Sequence, residues 1–402
     1  MKKLLLGTSI LFTSLAFAQD TEIKLNGIFD FSATIFNQNP PNNYTIPTKL
    51  NPLNESFDFR SSSAFFVLVS NTSKDEQWKY GAKITIPVMA LTKGSPKYNG
   101  SHIFLENDNI GKFQFGSPFD AMNVMSVTGL SVARGIGTAT VRYAKLDDME
   151  IQHYDFTSDD LLKTNNSFEP ARKISYYTPK LYDKIEFGFS YTPNTSNNGG
   201  LKPTDMSNIK FRDITNTNYS LPLAAKNVIS FGSTMTHDIS KDIGLKIGLS
   251  GEFGSAVQQK RVQDTTTKNY TYENLTGNQL LSDLKAMNIG ALLTYKNLSF
   301  AASFATTFDS LTSEDFDGKN RNTNYFSTGA SYTQGPIGVS INYLNTQLRG
   351  NTTFNAVILG GDYAVAKGVR SYGELGWFSA DDIDKTKNPS GFIIAFGTSI
   401  AF

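Results

Sequence analysis

Apolar and polar residues alternate with a period of two over most of this chain. Ile185, Phe187, Phe189 and Tyr191 take turns with Glu186, Gly188 and Ser190, and Ile243, Leu245, Ile247 and Leu249 with Gly244, Lys246, Gly248 and Ser250. Successive side chains of a strand point to opposite faces, so each stretch builds one greasy face and one small or charged face. The pattern predicts strands over residues 22–36, 57–70, 76–87, 101–107, 112–117, 172–178, 184–193, 226–236, 243–254, 285–295, 298–308, 324–333, 337–347, 353–365, 369–379 and 391–402. In the second and the fourteenth of these the facing is ambiguous. The last, GFIIAFGTSIAF, puts Phe392, Ile394, Phe396, Ile400 and Phe402 on one face and Gly391, Ile393, Ala395, Gly397, Ser399 and Ala401 on the other. Such an apolar face meets a second sheet in a soluble sandwich and lipid in a membrane barrel, so this stretch alone does not choose.

The connections do choose. Short turns fall at NTSKD from Asn71, DNIG from Asp108, PKLYD from Pro179, HDISKD from His237, KN at Lys296, QGP from Gln334 and AKG from Ala366. Between them come longer segments near 37–56, 88–100, 118–171, 194–225, 255–284 and 309–323, then shorter ones near 348–352 and 380–390. Short and long connections taking turns describe an up-and-down barrel with one tight rim and one loop-bearing rim, and the strand count of about 16 is even, as such barrels require. TPNTSNNGG from Thr192 and QDTTTKNYTYEN from Gln263 read as surface loops. The fold class is therefore all-β: a transmembrane antiparallel up-and-down β-barrel of about 16 strands with long extracellular loops.

The start of the chain changes the picture of where this barrel works. Lys2 and Lys3 precede an apolar stretch from Leu4 to Phe17, and Ala16-Phe17-Ala18 has the small-x-small form of a signal-peptidase site. The expected division is an export signal over 1–18 and the barrel over 19–402, in the outer membrane. Beyond the signal there is no run of about 18 apolar residues to form a membrane helix, so only strands can span a bilayer. The chain has no cysteine, which excludes disulfides, thiolate metal sites and thiol nucleophiles. Its net charge of +1 becomes −1 once Lys2 and Lys3 are removed, so nothing draws it to nucleic acid.

LNGIFDFSA from Leu25, WKYGAKITIP from Trp78, IFLENDNIGKFQFGSPFDA from Ile103, ISYYTPKLYDKIEFGFSY from Ile174 and YAVAKGVRSYGELGWF from Tyr363 together resemble the Gram-negative general porins, especially the diffusion porins of alpha- and beta-proteobacteria. The resemblance spans the chain after the signal. It implies a homotrimer, a third loop folded inward to narrow the pore, and a terminal aromatic, Phe402, read by the barrel assembly machinery. In that family an Arg often stands four residues before the Pro of the Tyr-x-x-Pro motif; here Ser175 holds that place, and the family's charge selectivity is not carried over.

A passive pore acts through lumen charges and water, without a reaction. The longest connection, Pro118 to Ala171, supplies acids for a constriction, namely Asp120, Asp147, Asp148 and Glu150. Strand parity places Lys79, Lys83 and Lys112 on the facing wall, with Arg60 beside them, opposite in facing to Tyr80, Ile84, Phe113 and Phe115. The partners are then ions and small hydrophilic solutes inside and lipid outside. His102, His153 and His237 are the only histidines, and their scatter offers neither a catalytic pair nor a metal site, so no enzyme activity and no cofactor are expected. GIGTAT from Gly135 lacks the spacing of a phosphate loop and reads as a bend; acids such as Asp381 and Asp309 with their neighbours read as solvated loop residues. The rival from another class is a surface adhesin or structural barrel with a plugged lumen.

Overall fold

The computed structural model describes residues 21–38, 57–87, 101–135, 171–195, 208–212, 218–222, 225–263, 270–277, 280–311, 322–348, 352–381 and 390–402. Sixteen strands close into one barrel. In barrel order they are β1 (Glu22–Gln38), β2 (Phe57–Thr72), β3 (Lys79–Pro87), β4 (His102–Asn107), β5 (Gly111–Gly116), β6 (Lys173–Tyr177), β7 (Ile185–Asn194), β10 (Ala225–Ser240), β11 (Ile243–Ala256), β14 (Leu284–Tyr295), β15 (Leu298–Phe308), β16 (Thr323–Gln334), β17 (Ile337–Leu348), β18 (Thr352–Ala366), β19 (Val369–Asp381) and β20 (Ser390–Ala401). Each predicted strand corresponds to one of these, with ends displaced by a few residues. β20 closes the barrel on β1, running from the Gln38↔Gly391 pair to Ile28↔Ala401. Closure leaves no unpaired edge, which is what a sheet in lipid requires.

Alternation becomes a two-sided wall. On β7, Phe187, Phe189 and Tyr191 are exposed on the outer surface while Gly188 and Ser190 are buried inside. At the seam, the Phe402 ring lies over Gly27, stacks on Phe29 at 6.0 Å and meets the edge of Phe65 at 6.4 Å. Its amide bonds the Gly27 carbonyl at 3.1 Å, so the terminal residue continues the ladder. The ambiguous facing of β18 has a physical cause: Leu359 and Tyr363 stand on the outer surface, while Phe354, Ala356 and Ile358 are buried on the inner face. In β2, likewise, Phe57, Phe59 and Phe65 take the outer parity, and Phe66 the inner one beneath Lys83.

Two features differ from the pattern-based reading. β8 (Asn208–Arg212) with β9 (Asn218–Pro222), and β12 (Gln259–Gln263) with β13 (Tyr270–Asn274), form hairpins within the two connections read as loops, and the Arg261↔Ser220 pair joins them into a four-stranded sheet. Each is only five residues long and rich in Asn, Gln, Thr and Lys, so its alternation is too short to register. The turn expected from His237 is also shorter, because β10 runs on to Ser240 and Lys241 and Asp242 alone make the reversal.

Candidate pore and its inward connection

The connection after β5 begins by turning into the barrel. Lys173 is buried, and its ammonium donates to the Pro118 carbonyl at 2.9 Å. Asp120 then caps the short helix α1 (Ala121–Met125), its carboxylate accepting from the Asn123 amide at 2.8 Å. The Ala121 amide donates to Ser190 Oγ at 2.8 Å, and Ser190 and Ser175 share a hydroxyl bond of 2.8 Å. Ser175, at the place where the resembled family often carries Arg, is here part of the hinge that seats the loop.

Beyond α1 the backbone is held by wall side chains one strand after another. Asn288 of β14 donates to the Val127 carbonyl at 3.4 Å; the Gly129 amide donates to Ser327 of β16 at 2.9 Å, and its carbonyl accepts from Asn342 of β17 at 3.0 Å. After the 3-10 turn Gly129–Val132, the Arg134 amide donates to Ser340 at 2.8 Å and the Gly135 amide to Asp362 of β18 at 3.5 Å. The wall thus supplies the partners that an inward-lying loop backbone needs, each bond contributing about 0.5–1.5 kcal/mol. Contact this close also needs bare wall. A Cβ on Gly290 would stand 1.9 Å from the Val127 carbonyl oxygen, and one on Gly360 2.1 Å from that of Arg134. Register lines Gly188 up with Gly232, Gly248 with Gly290, and Gly360 with Ser340, so the small face of each strand joins the next as a lane.

At the far end Leu130 enters an apolar cluster on the inner face with Phe36, Leu344, Phe354, Ile358, Phe378 and Ile393. Phe354 and Phe378 are fully buried. Full burial of a Leu side chain stabilises by about 1.5–3 kcal/mol, so this contact adds substantially to the lane's hydrogen bonds.

The opposite wall is open and charged. Lys79 pairs in register with Glu106, Lys83 with His102, and Lys112 with Glu106, which places all three lysines on the inner parity as expected. The Lys83 and Lys112 ammoniums lie 5.7 Å above Phe66 and 5.2 Å above Phe104. Lys112 is partly neutralised by Glu106 at 3.2 Å. Arg60 sits opposite Ser32 in the register, its side chain outside the described residues. Asp147, Asp148, Glu150 and the export segment lie outside them altogether. Asp120 is corrected: it is only 3% exposed and serves as the helix cap, because a loop turning inward needs its first free amides satisfied, and so it does not offer an open charge to the constriction.

The sequence reading missed a second charged group on the wall. Arg134 on the loop donates to Thr333, Arg370 stands 3.6 Å from Asp362, and the Tyr372 hydroxyl donates to Asp30 at 2.7 Å. Asp362 shares the parity of Gly360 and Ile358, a signal that parity on an unambiguous strand would have revealed. His102 bonds Gln114 at 3.2 Å, and among the described residues no cluster of three or more His, Asp or Glu could hold a metal.

A closed barrel with an apolar outer surface, a charged inner wall and a connection laid along that wall defines a strand-spanning membrane barrel of the porin class. The family model of the Gram-negative porin matches residues 7–383, and the chain belongs to that family. Relatives from Rickettsia bellii and Rickettsia typhi are each 33% identical, with 94% of this chain and 94% of each relative covered. Among solved structures, the anion-selective porin from Comamonas acidovorans aligns with a TM-score of 0.56 at 13% identity over 95% of this chain and all of that one. OmpT of Vibrio cholerae, in its trimer form, aligns with 0.55 at 13% over 96% and 100%. Those two share the fold.

Proposed function

We propose that the protein is a passive channel of the outer membrane through which ions and small hydrophilic solutes diffuse, without any reaction or cofactor. The observation that carries this reading is the division of the inner face: one arc holds the inward connection, and the other presents exposed lysines on β3 to water. Charges on such a wall bias the ions that pass. Planar-bilayer recording tests it: discrete conductance steps with a reversal potential under a potassium chloride gradient are expected, and a reconstituted, folded barrel that passes no current would give the plugged-lumen reading the better case.

Assembly belongs to the same proposal. A homotrimer is the expected state, supported by the porin family and by the trimer form of the Vibrio cholerae neighbour. Phe402, packed across the β1–β20 seam, is proposed as the residue that the barrel assembly machinery reads, with lipid bathing the outer surface. Removing Phe402 should reduce heat-resistant folded protein in the outer membrane while export continues; unchanged folded levels would leave it a packing role only.

A further inference from the structure

Between the hairpins β4–β5 and β6–β7 lies a cavity of about 470 Å³. It sits at the short-turn rim, with Val124 of α1 above it and Asp108 and Lys180 of two turns below. Its size falls within the roughly 300–1,000 Å³ of small-molecule sites. Cross-strand register sets Glu106, Lys112 and Tyr177 in one row on the inner face, and all three line the cavity. Lys112 is committed to Glu106 at 3.2 Å. The side chains of Glu186 of β7 and Lys180 of the turn, which also line the cavity, make no ion pair or hydrogen bond among the described residues.

We propose that this cavity is a resting site for zwitterionic solutes, amino acids and short peptides that carry one ammonium and one carboxylate. The proposal rests on the channel reading and names a solute class for it. Glu186 receives the ammonium, Lys180 the carboxylate. Between Glu186 and Lys180 a singly charged solute gains one attraction and meets one repulsion, whereas a zwitterion gains two attractions. The contacts are wet and therefore weak, as a site on a diffusion path must be if solutes are to leave it.

The test uses the full chain in planar bilayers at about 0.1 M salt, where the screening length is about 10 Å. Three probes separate the two charges: glycylglycine, N-acetylglycylglycine without the ammonium, and glycylglycine amide without the carboxylate. Glycylglycine should perturb the current at a concentration about three- to fivefold below either capped compound, the size expected of an exposed ion pair. Glu186→Gln should weaken glycylglycine and the amide and strengthen the acetylated probe, which loses a repulsion, so that the advantage of glycylglycine over the acetylated probe disappears. Lys180→Gln should weaken glycylglycine and the acetylated probe and strengthen the amide, which loses a repulsion. Equal potency of all three probes, or variants that leave their ratios unchanged, would overturn the proposal while the channel reading stands. Lys180 is in a turn, so its variant carries the test if Glu186→Gln does not fold, as read from heat-dependent migration. Absence of any conductance in the unmodified protein would instead contradict the channel reading.

Discussion

The two sides of the barrel interior solve opposite problems with the same strand alternation. From β14 to β19 the inner face is built to hold the connection: glycines and serines let the loop backbone approach, Asn288, Asn342 and Asp362 bond it, and Leu130 completes an apolar cluster. On β3 to β5 the inner face carries Lys79, Lys83, Glu106 and Lys112, and water reaches them. Inward parity therefore does not mean pore-lining. Whether an inward residue meets solute or meets protein depends on where the connection lies, and the connection lies where the wall offers hydrogen-bond partners and no Cβ.

The largest effect should come from breaking the packed side. Leu130→Ala should cost about 2–5 kcal/mol, the usual range for emptying a buried leucine site, and be seen as a lower denaturant midpoint. Lys83→Ala on the open wall should stay within about 0.5 kcal/mol. Next, Gly290→Val puts carbon into the Val127 carbonyl and should cost about 1–3 kcal/mol while displacing the loop, visible as altered single-channel conductance. Gly373→Ala on the outer face of β19, whose added carbon meets nothing closer than Ala395 O at 3.9 Å, is the control at a glycine the connection does not cover and should conduct as before. A wild-type midpoint and conductance in Gly290→Val would mean that the loop does not follow the lane.

Asp120→Ala should cost about 1 kcal/mol, as the loss of a helix cap does, and shift selectivity little because that carboxylate is buried. A large selectivity change there would restore Asp120 to the constriction. The smallest energetic effect, and the clearest functional one, belongs to replacing Lys79, Lys83 and Lys112 together by Gln. Stability should barely move, while the reversal potential should move toward cation preference at low salt and less so at 1 M, where the screening length is about 3 Å. Unchanged selectivity at low salt would place the controlling charges elsewhere, with Arg134 and Arg370 the first alternatives.

The barrel was legible because strand parity and connection length are local properties: each of the sixteen strands announces itself within a dozen residues. The inner architecture was not. Gly129 finds Ser327 across 198 positions and Asn342 across 213, and no spacing in the sequence announces such pairs. The same distance hid the purpose of Asp120, which reads as one loop acid among several until α1 and Ser190 are seen beside it. Lys79, Lys83 and Lys112 could be placed because they sit on strands with one clear apolar face; Asp362 could not, because β18 is apolar on both faces over Phe354 to Leu359.

The absence of cysteine makes the contrast between the two sides directly measurable, since any introduced thiol is the sole one in the protein. Lys83→Cys on the open wall and Leu344→Cys on the packed side, the latter position only 1% exposed, can each be recorded in a bilayer while a charged, water-soluble methanethiosulfonate reagent is added. The current through Lys83→Cys should change in discrete steps as the charge is attached beside the ion path, and the current through Leu344→Cys should stay constant. Equal modification of both, or modification of Leu344→Cys alone, would contradict an ion path that runs along β3 to β5 past a connection sealed against the opposite wall.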